Sequence, residues 1–421
     1  MRFTAILVAL VGALAFSAAA ANAQQITVGT DVNTNSKNNA GGAFVMRPQF
    51  EPTISINQKN PLNIVAYSIT FAPATNTDNG LYKAVSNDGG KTWTSSLFAN
   101  GGGGIPGGFA DPTSASDGFG DQFVAYMDTR ANTNVVLAES TDGGQTYNQV
   151  GTFTGVSGTG NDQPTVVTGP GPTKTSSSVW LTWRNSSNQI VASGAMISGA
   201  GAANVGNFTK PVAMLDPSGN AFTQGINYGD IAVGPGGSVA VTYQNNLASK
   251  NTTNSNVYVN ASTAIDYVKQ SASFGNAVIA TSNGLSGSYS LSAVLNKDST
   301  NNDQGADAEA GLAWDHSGGA SNGNLYLVYT VATALPGQPN QTQVRYLTSK
   351  DGGQTWVNSR AISAAVSGSS FEPRIAVDQT TGNLASSWYD TRADATFATT
   401  QFFADLSLNG GTSFGNDFLV S

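Results

Sequence analysis

Apolar and polar positions along the chain recur as a pair of short strands, six times over. Each unit opens on a polar residue, usually with proline. It then runs into an alternating apolar strand, turns, and returns as a second strand ending on an aromatic. The units open at Phe50-Glu51-Pro52, Ala110-Asp111-Pro112, Asp162-Gln163-Pro164, Asn227-Tyr228-Gly229, Ala308-Glu309-Ala310 and Phe371-Glu372-Pro373. Their second strands end near Tyr67, Tyr126, Trp183, Tyr243, Tyr329 and Trp388. A polar loop, a third strand and a fourth follow each pair. The period of about 50 to 65 residues, with one longer gap between the fourth and fifth units, is that of propeller blades and solenoid units. Four short strands per unit predict an all-β, six-bladed β-propeller with blades of four antiparallel strands, one domain over 24–421.

A turn motif marks the end of the third strand in several units. It reads Ser86-Asn87-Asp88-Gly89-Gly90-Lys91-Thr92-Trp93, and returns at Ser140–Tyr147 and Ser349–Trp356, with a weaker copy at Ser407–Phe414. Asp and Ser/Thr side chains bond nearby backbone N–H groups, Gly-Gly permits positive φ, and the aromatic anchors the turn on the core. Blades three and four have lost it, and Asp266–Phe274 reads as a decayed version. Gln25–Val32 reads as a strand that closes the ring beside Phe414–Val420. Thr34–Ala43 and Gly101–Gly108 read as a loop and a flexible connection.

The N-terminus changes the picture of where the protein works. Arg2, the apolar run Ala5–Phe16 and Ala21-Asn22-Ala23 form a signal peptide over 1–23, so the mature chain is expected to be secreted or extracytoplasmic. An exported chain without cysteine relies on a large core and excludes thiolate metal sites. The single His316 excludes His-rich metal centres and reads as a loop residue. The net charge of −8, or −9 without Arg2, lacks the footprint of a nucleic-acid or anionic-membrane binder. No later stretch is long enough to span a membrane. Sequons begin at Asn185, Asn207, Asn251, Asn260 and Asn340. A monomer is expected.

Propeller geometry places the start of each first strand and the end of each second strand at one face, around the central channel. In register the starts give a ring of Glu51, Asp111, Gln163, Tyr228, Glu309 and Glu372, which takes three of the chain's four glutamates. The second strands add Asp128-Thr129-Arg130 and Asp390-Thr391-Arg392, with Arg184 as a third variant and Arg374 just after Glu372. Guanidinium forks suit a carboxylate, and such a mouth suits an acidic or hydroxyl-rich sugar. The two Asp-Thr-Arg motifs also read as internal braces that pair with themselves or with the next blade. No cofactor is indicated. Calcium would suit the ring carboxylates, but no compact Asp-rich loop demands it.

The Asp boxes, six units and export signal together resemble the sialidase (neuraminidase) superfamily of BNR/Asp-box repeat proteins, over essentially the whole mature chain. In that family the boxes lie opposite the active site, which implies structural roles for Asp88, Asp142 and Asp351. The resemblance also implies an arginine triad for the substrate carboxylate, a Tyr nucleophile backed by a Glu, and an Asp near the leaving group. Arg184 and Arg374 are candidates for the triad. Tyr228 or Tyr389 would be the nucleophile, with Glu309 or Glu372 its partner. The family's first arginine lies in an Arg-Ile-Pro motif opening the first blade. Here Phe50 occupies its place, and Arg47-Pro48 is out of register.

Three functions follow from these residues. The first is a glycan- or protein-binding propeller without sialidase activity, favoured because the opening arginine is missing. The second is an exo-sialidase-like glycoside hydrolase. The third is a structural surface protein whose channel is simply filled.

Overall fold

The computed structural model describes residues 49–70, 80–129, 133–155, 160–222, 226–245, 252–286, 306–333, 341–364 and 368–421. These form six antiparallel sheets in chain order, the blades of a six-bladed propeller. Blade one is Gln49–Ile56, Ile64–Thr70, Leu81–Ser86 and Thr94–Phe98. Blade two is Gly108–Ser116, Gln122–Asp128, Val135–Ser140 and Asn148–Phe153. Blade three is Asp162–Pro170, Ser177–Arg184, Ile190–Ile197 and Val212–Ala213. Blade four is Ile226–Val233, Val239–Asn245 and the long Thr252–Asp266, whose outer edge is shared by Ser271–Phe274 and Val278–Ser286. Blade five is Gly311–Trp314, Leu325–Thr333, Gln341–Ser349 and Val357–Ala361. Blade six is Ser370–Val377, Leu384–Asp390, Gln401–Ser407 and Phe418–Leu419. No helix among the described residues is long and apolar enough to cross a membrane. The signal segment, the strand at 25–32 and the loop at 34–43 lie outside the described residues.

The second strands of blades one to five are sandwiched between neighbouring blades and largely buried, whereas that of blade six alternates. Those of blades one and two are buried along their whole length. The cores are inter-blade: Val65, Tyr67 and Leu81 of blade one pack on Val124, Tyr126 and Tyr147 of blade two. Phe123 and Leu137 of blade two then meet Val179 and Trp183 of blade three. First strands alternate instead, because one face lines the channel.

The box turns close with the same bonds each time. Ser86 Oγ donates to Asp88 Oδ1 (2.8 Å) and accepts from Gly90 N (2.8 Å), while Thr92 donates from N and Oγ1 to the two Asp88 oxygens (2.9 and 2.6 Å). These bonds hold the Asp88 carboxyl down at about 2. The pattern repeats around Asp142 and Asp351, and around Asn409, whose amide replaces the carboxylate. Glycine is required: Gly144 has φ of 91°, and a Cβ there would come within 2.7 Å of Val65 on the neighbouring blade.

Two expectations need correction. Asp266–Phe274 is a plain hairpin turn, with Lys269 N bonded to Asp266 Oδ1 (2.9 Å), and carries none of the Ser–Gly bonds of a box. Gly101–Gly108 is fastened at its far end, where Tyr126 OH donates to Pro106 O (2.8 Å), Gly108 N to Ala99 O (2.7 Å) and Thr129 N to Gly107 O (3.0 Å). Tertiary bonds thus seat the Pro106–Gly108 end of the stretch, while Gly101–Gly104 stay exposed.

Candidate functional site

The predicted ring coincides with a repeated backbone irregularity. In blades one, two, three, four and six, the ladder between first and second strands slips by one residue at the ring position. At the ring position Glu51, Asp111, Gln163 and Glu372 of these blades, and Glu309 of blade five, all have left-handed φ, between 40° and 52°. A non-glycine residue there costs about 1–3 kcal/mol. Proline follows four of the five, where the bulge asks for no ladder N–H. The ring lies at the end of the propeller away from the boxes: Gln49 pairs with Thr70 at the ring end, whereas Ser86 of the box pairs with Ile64.

The side chains of the ring interact across blade boundaries. Asp111 Oδ2 accepts from Gln163 N of blade three (3.0 Å), and its carboxyl is hydrogen-bonded to Glu51 of blade one. Burial, then Glu51, then the Asp162 charge push Asp111 up to about 8. Glu309 rises to about 8, from burial and the neighbouring Glu372, against the pull of Arg374. Burial also raises Glu372, again opposed by Arg374. Gln244 braces this side, accepting from Glu309 N (2.9 Å) and donating to the buried Asp307 (3.1 Å). Tyr389 is pushed up to about 12 by burial and by Glu372.

The arginines divide into different roles. Arg374 is 67% exposed, with Nη1 3.8 Å from Glu309 Oε2, and is the one that reaches the mouth with most of its surface free. Arg184 is ion-paired with Asp162 at the start of its own blade's first strand. Arg392 is only 15% exposed: it bridges Asp390 (2.5 Å) and Asp417 (2.7 Å), with its guanidinium 4.2 Å from the Phe403 ring. Asp390 is itself buried and accepts from Ser370 Oγ (2.7 Å). Asp128, also buried, accepts from Asn134 N and Nδ2 (2.9 and 3.0 Å). Asp128 and Asp390 therefore act as internal braces and do not line the mouth. Arg130 and the side chain of Tyr228 lie outside the described residues.

Asp230 is a further acid of the channel, outside the ring register. It stands two residues after Tyr228, in the register of Thr53, Thr113, Thr165, Gly311 and Arg374, which forms a second tier deeper in the channel. Asp230 accepts from Leu312 N of blade five (2.7 Å) and from its own neighbour Ile231 N (2.8 Å). Burial raises its pKa, and the Arg374 charge opposes that rise. Counting two residues inward along each strand finds it; attention to the first tier alone does not. Asp162 was read only as a strand start, yet it neutralises Arg184.

Among the described residues the mouth therefore carries Glu51, Asp111, Glu309 and Glu372 against one largely exposed guanidinium, that of Arg374. Two of these carboxyls are held neutral near pH 7, so they can donate as well as accept hydrogen bonds. Among the described residues, no group of three or more His, Cys, Asp or Glu side chains is placed to hold a metal ion.

No protein-family model matches the chain, and no curated protein matches it. Solved structures do. An α-L-arabinanase of Penicillium chrysogenum, complexed with arabinobiose, is 14% identical over 82% of this chain and 88% of its own, with a TM-score of 0.48. A GH93 α-L-arabinofuranosidase of Fusarium graminearum, also with arabinobiose, is 11% identical over 85% and 92%, with a TM-score of 0.48. A Hadza microbial sialidase is 14% identical over 87% of this chain and 66% of its own, with a TM-score of 0.43. These likenesses extend to the propeller architecture and assign no activity to any residue.

Proposed function

We propose that this is an exported propeller whose mouth binds a neutral, hydroxyl-rich glycan and does not cleave sialic acid. The observation that carries the reading is the balance of charge among the described residues: four ring carboxyls, two of them pushed up to about 8, face a single largely exposed arginine. An anionic sugar would meet repulsion there, because Arg392 is committed to Asp390 and Asp417 and Arg184 to Asp162. Sugar hydroxyls are both donors and acceptors, and a mixed set of carboxyl and carboxylate groups answers both.

Hydrolysis is disfavoured on two counts. Tyr389 is held protonated, with its pKa raised to about 12 beside Glu372, the opposite of an activated nucleophile. Glu51 and Asp111 touch through a hydrogen bond, closer than the roughly 5 Å that a retaining carboxyl pair leaves for the sugar. Export through the signal at 1–23 places the mouth where extracellular glycans are met.

The test is a glycan array followed by calorimetry at pH 6, together with assays on a fluorogenic sialoside and a panel of neutral glycosides. Binding of neutral oligosaccharides without turnover is expected. Release from the sialoside that disappears in Arg374→Ala would overturn the proposal in favour of a sialidase. No binding to any glycan would favour a structural role.

A further inference from the structure

Blade two departs from the other blades just outside the ring, and the departure involves an aromatic. Where the first strand spans the ring position in blades one, three, four and six, the ladder slips once, at the ring. In blade two it slips twice: Gly108 pairs with Asp128 and Ala110 with Met127, so Phe109 is an extra residue. A bulge of this kind re-aims one side chain and leaves its neighbours in register. In blades three and six the residues level with Gly108, Asn161 and Ser370, are buried and bond to Phe153 O (2.9 Å) and Asp390 Oδ2 (2.7 Å), and nothing stands in the place of Phe109. Phe109 turns outward and is 45% exposed, two residues from Asp111.

The backbone that carries Phe109 is rigidly seated. Gly108 lies so close to the Tyr126 ring that a Cβ would come within 2.7 Å of Cδ2. Tyr126 OH, Ala99 O and Thr129 N all bond this short strap, and Ile105 at its base is buried. An exposed phenyl group on a mobile loop would say little, because single exposed apolar residues are common. Here an additional bulge, a sterically obligatory glycine and three tertiary hydrogen bonds fix the backbone that carries Phe109, two residues before Asp111.

We propose that Phe109 is the stacking platform of the mouth, taking the C–H face of one sugar ring while the hydroxyls of the same unit bond Asp111 and Glu51. An aromatic face next to hydroxyl-binding carboxyls matches the two surfaces of a neutral sugar, one apolar and one rimmed with hydroxyls. The inference rests on the neutral-glycan reading of the mouth and adds the residue that selects a ring with an unsubstituted apolar face.

The experiment is calorimetric titration of the mature protein with gluco-, xylo-, manno- and arabino-oligosaccharides, using the tightest binder to compare wild type, Phe109→Ala, Phe109→Trp and Glu372→Gln. Phe109→Ala is expected to weaken binding at least tenfold with an unchanged melting temperature, and Phe109→Trp to keep wild-type affinity or improve it. If Phe109→Ala binds like wild type while Glu372→Gln does not, the platform is wrong and the mouth stands. If the alanine and tryptophan variants lose affinity equally, stacking is not the interaction. If the wild type binds none of the four series, the reading of the mouth fails and the platform with it.

Discussion

The fourth glutamate of the chain yields the most quantitative prediction. Glu139 lies at the end of the third strand of blade two, fully buried, as are Asp117 and Asp121. Neither of its oxygens makes a well-formed hydrogen bond, and only the nearby Gly201 N–H pulls its pKa down. Its carboxyl faces Asp121, a contact that is attractive only while one of the two carries a proton. Asp121 is in turn fixed to blade three, accepting from Gly201 N (2.8 Å). Burial, then Asp121 and Asp117, push Glu139 from 4.5 to about 8. The folded state thus binds a proton more tightly than the unfolded chain, so this stabilisation is complete below the unfolded value of 4.5 and is lost as pH rises through 8. A shift of that size corresponds to about 5 kcal/mol at 1.36 kcal/mol per unit. For a chain of roughly 400 residues, with an unfolding entropy near 2.1 cal/mol/K per residue, it is worth about 6 °C of melting temperature. Glu139→Gln supplies a permanent donor to Asp121 and removes the titration. Scanning calorimetry from pH 5 to pH 9 should give nearly equal melting temperatures for variant and wild type at pH 5. At pH 9 the variant should melt about 6 °C higher. Parallel curves across the whole range would refute the argument, because the carboxyl would then not be the group that titrates.

Other substitutions separate braces from the mouth. Ser86→Ala removes the buried hydroxyl that both donates to Asp88 and accepts from Gly90, and is expected to cost about 1–3 kcal/mol in urea unfolding. Arg392→Ala leaves the buried Asp390 without its counter-ion and should cost about 3–5 kcal/mol, whereas Arg374→Ala, at a mostly exposed position, should leave the unfolding midpoint unchanged. Affinity for a neutral oligosaccharide should be level between pH 5.5 and pH 7 and fall above pH 8. Asp111 and Glu309 lose their protons there, ceasing to donate and beginning to repel each other's neighbours; a titration series across that range checks it.

The blade count, the order of strands and the acidic ring were legible because each is written several times. A motif such as Glu51-Pro52 means little once; in register with Asp111-Pro112, Gln163-Pro164 and Glu372-Pro373 it fixes where every first strand begins. The same repetition left two readings open at the Asp-Thr-Arg motifs, mouth contact and internal brace. Asp390 and Arg392 recur at the correct face, yet their side chains turn into the blade, toward Ser370, Asp417 and Phe403. Repetition reports what each blade needs, and a brace is needed as often as a ligand contact. Features that occur once escaped: Asp230 in the second tier, the bulge at Phe109 and the buried trio around Glu139. Which way a lone side chain turns depends on one extra residue in a ladder or one missing donor, and neither leaves a periodic trace.

The strain at the ring argues that its acids are kept for what they do at the mouth. Glycine would adopt φ near 50° without penalty, and the chain uses it freely in the box turns, where Gly89, Gly90, Gly143 and Gly144 all have positive φ. At the ring, five blades place a long polar side chain in that region instead. A purely structural bulge would gain stability from glycine in every blade. Burial and mutual repulsion add a second cost, since Asp111 and Glu309 must hold protons to remain there. Both costs fall together on the ring residues, whereas the box carboxylates Asp88, Asp142 and Asp351 sit bonded in relaxed glycine turns, and the buried Glu139, Asp117 and Asp121 near the box end carry the second cost without the first. That coincidence of both costs on one set of residues is the physical support for the binding role proposed for the ring.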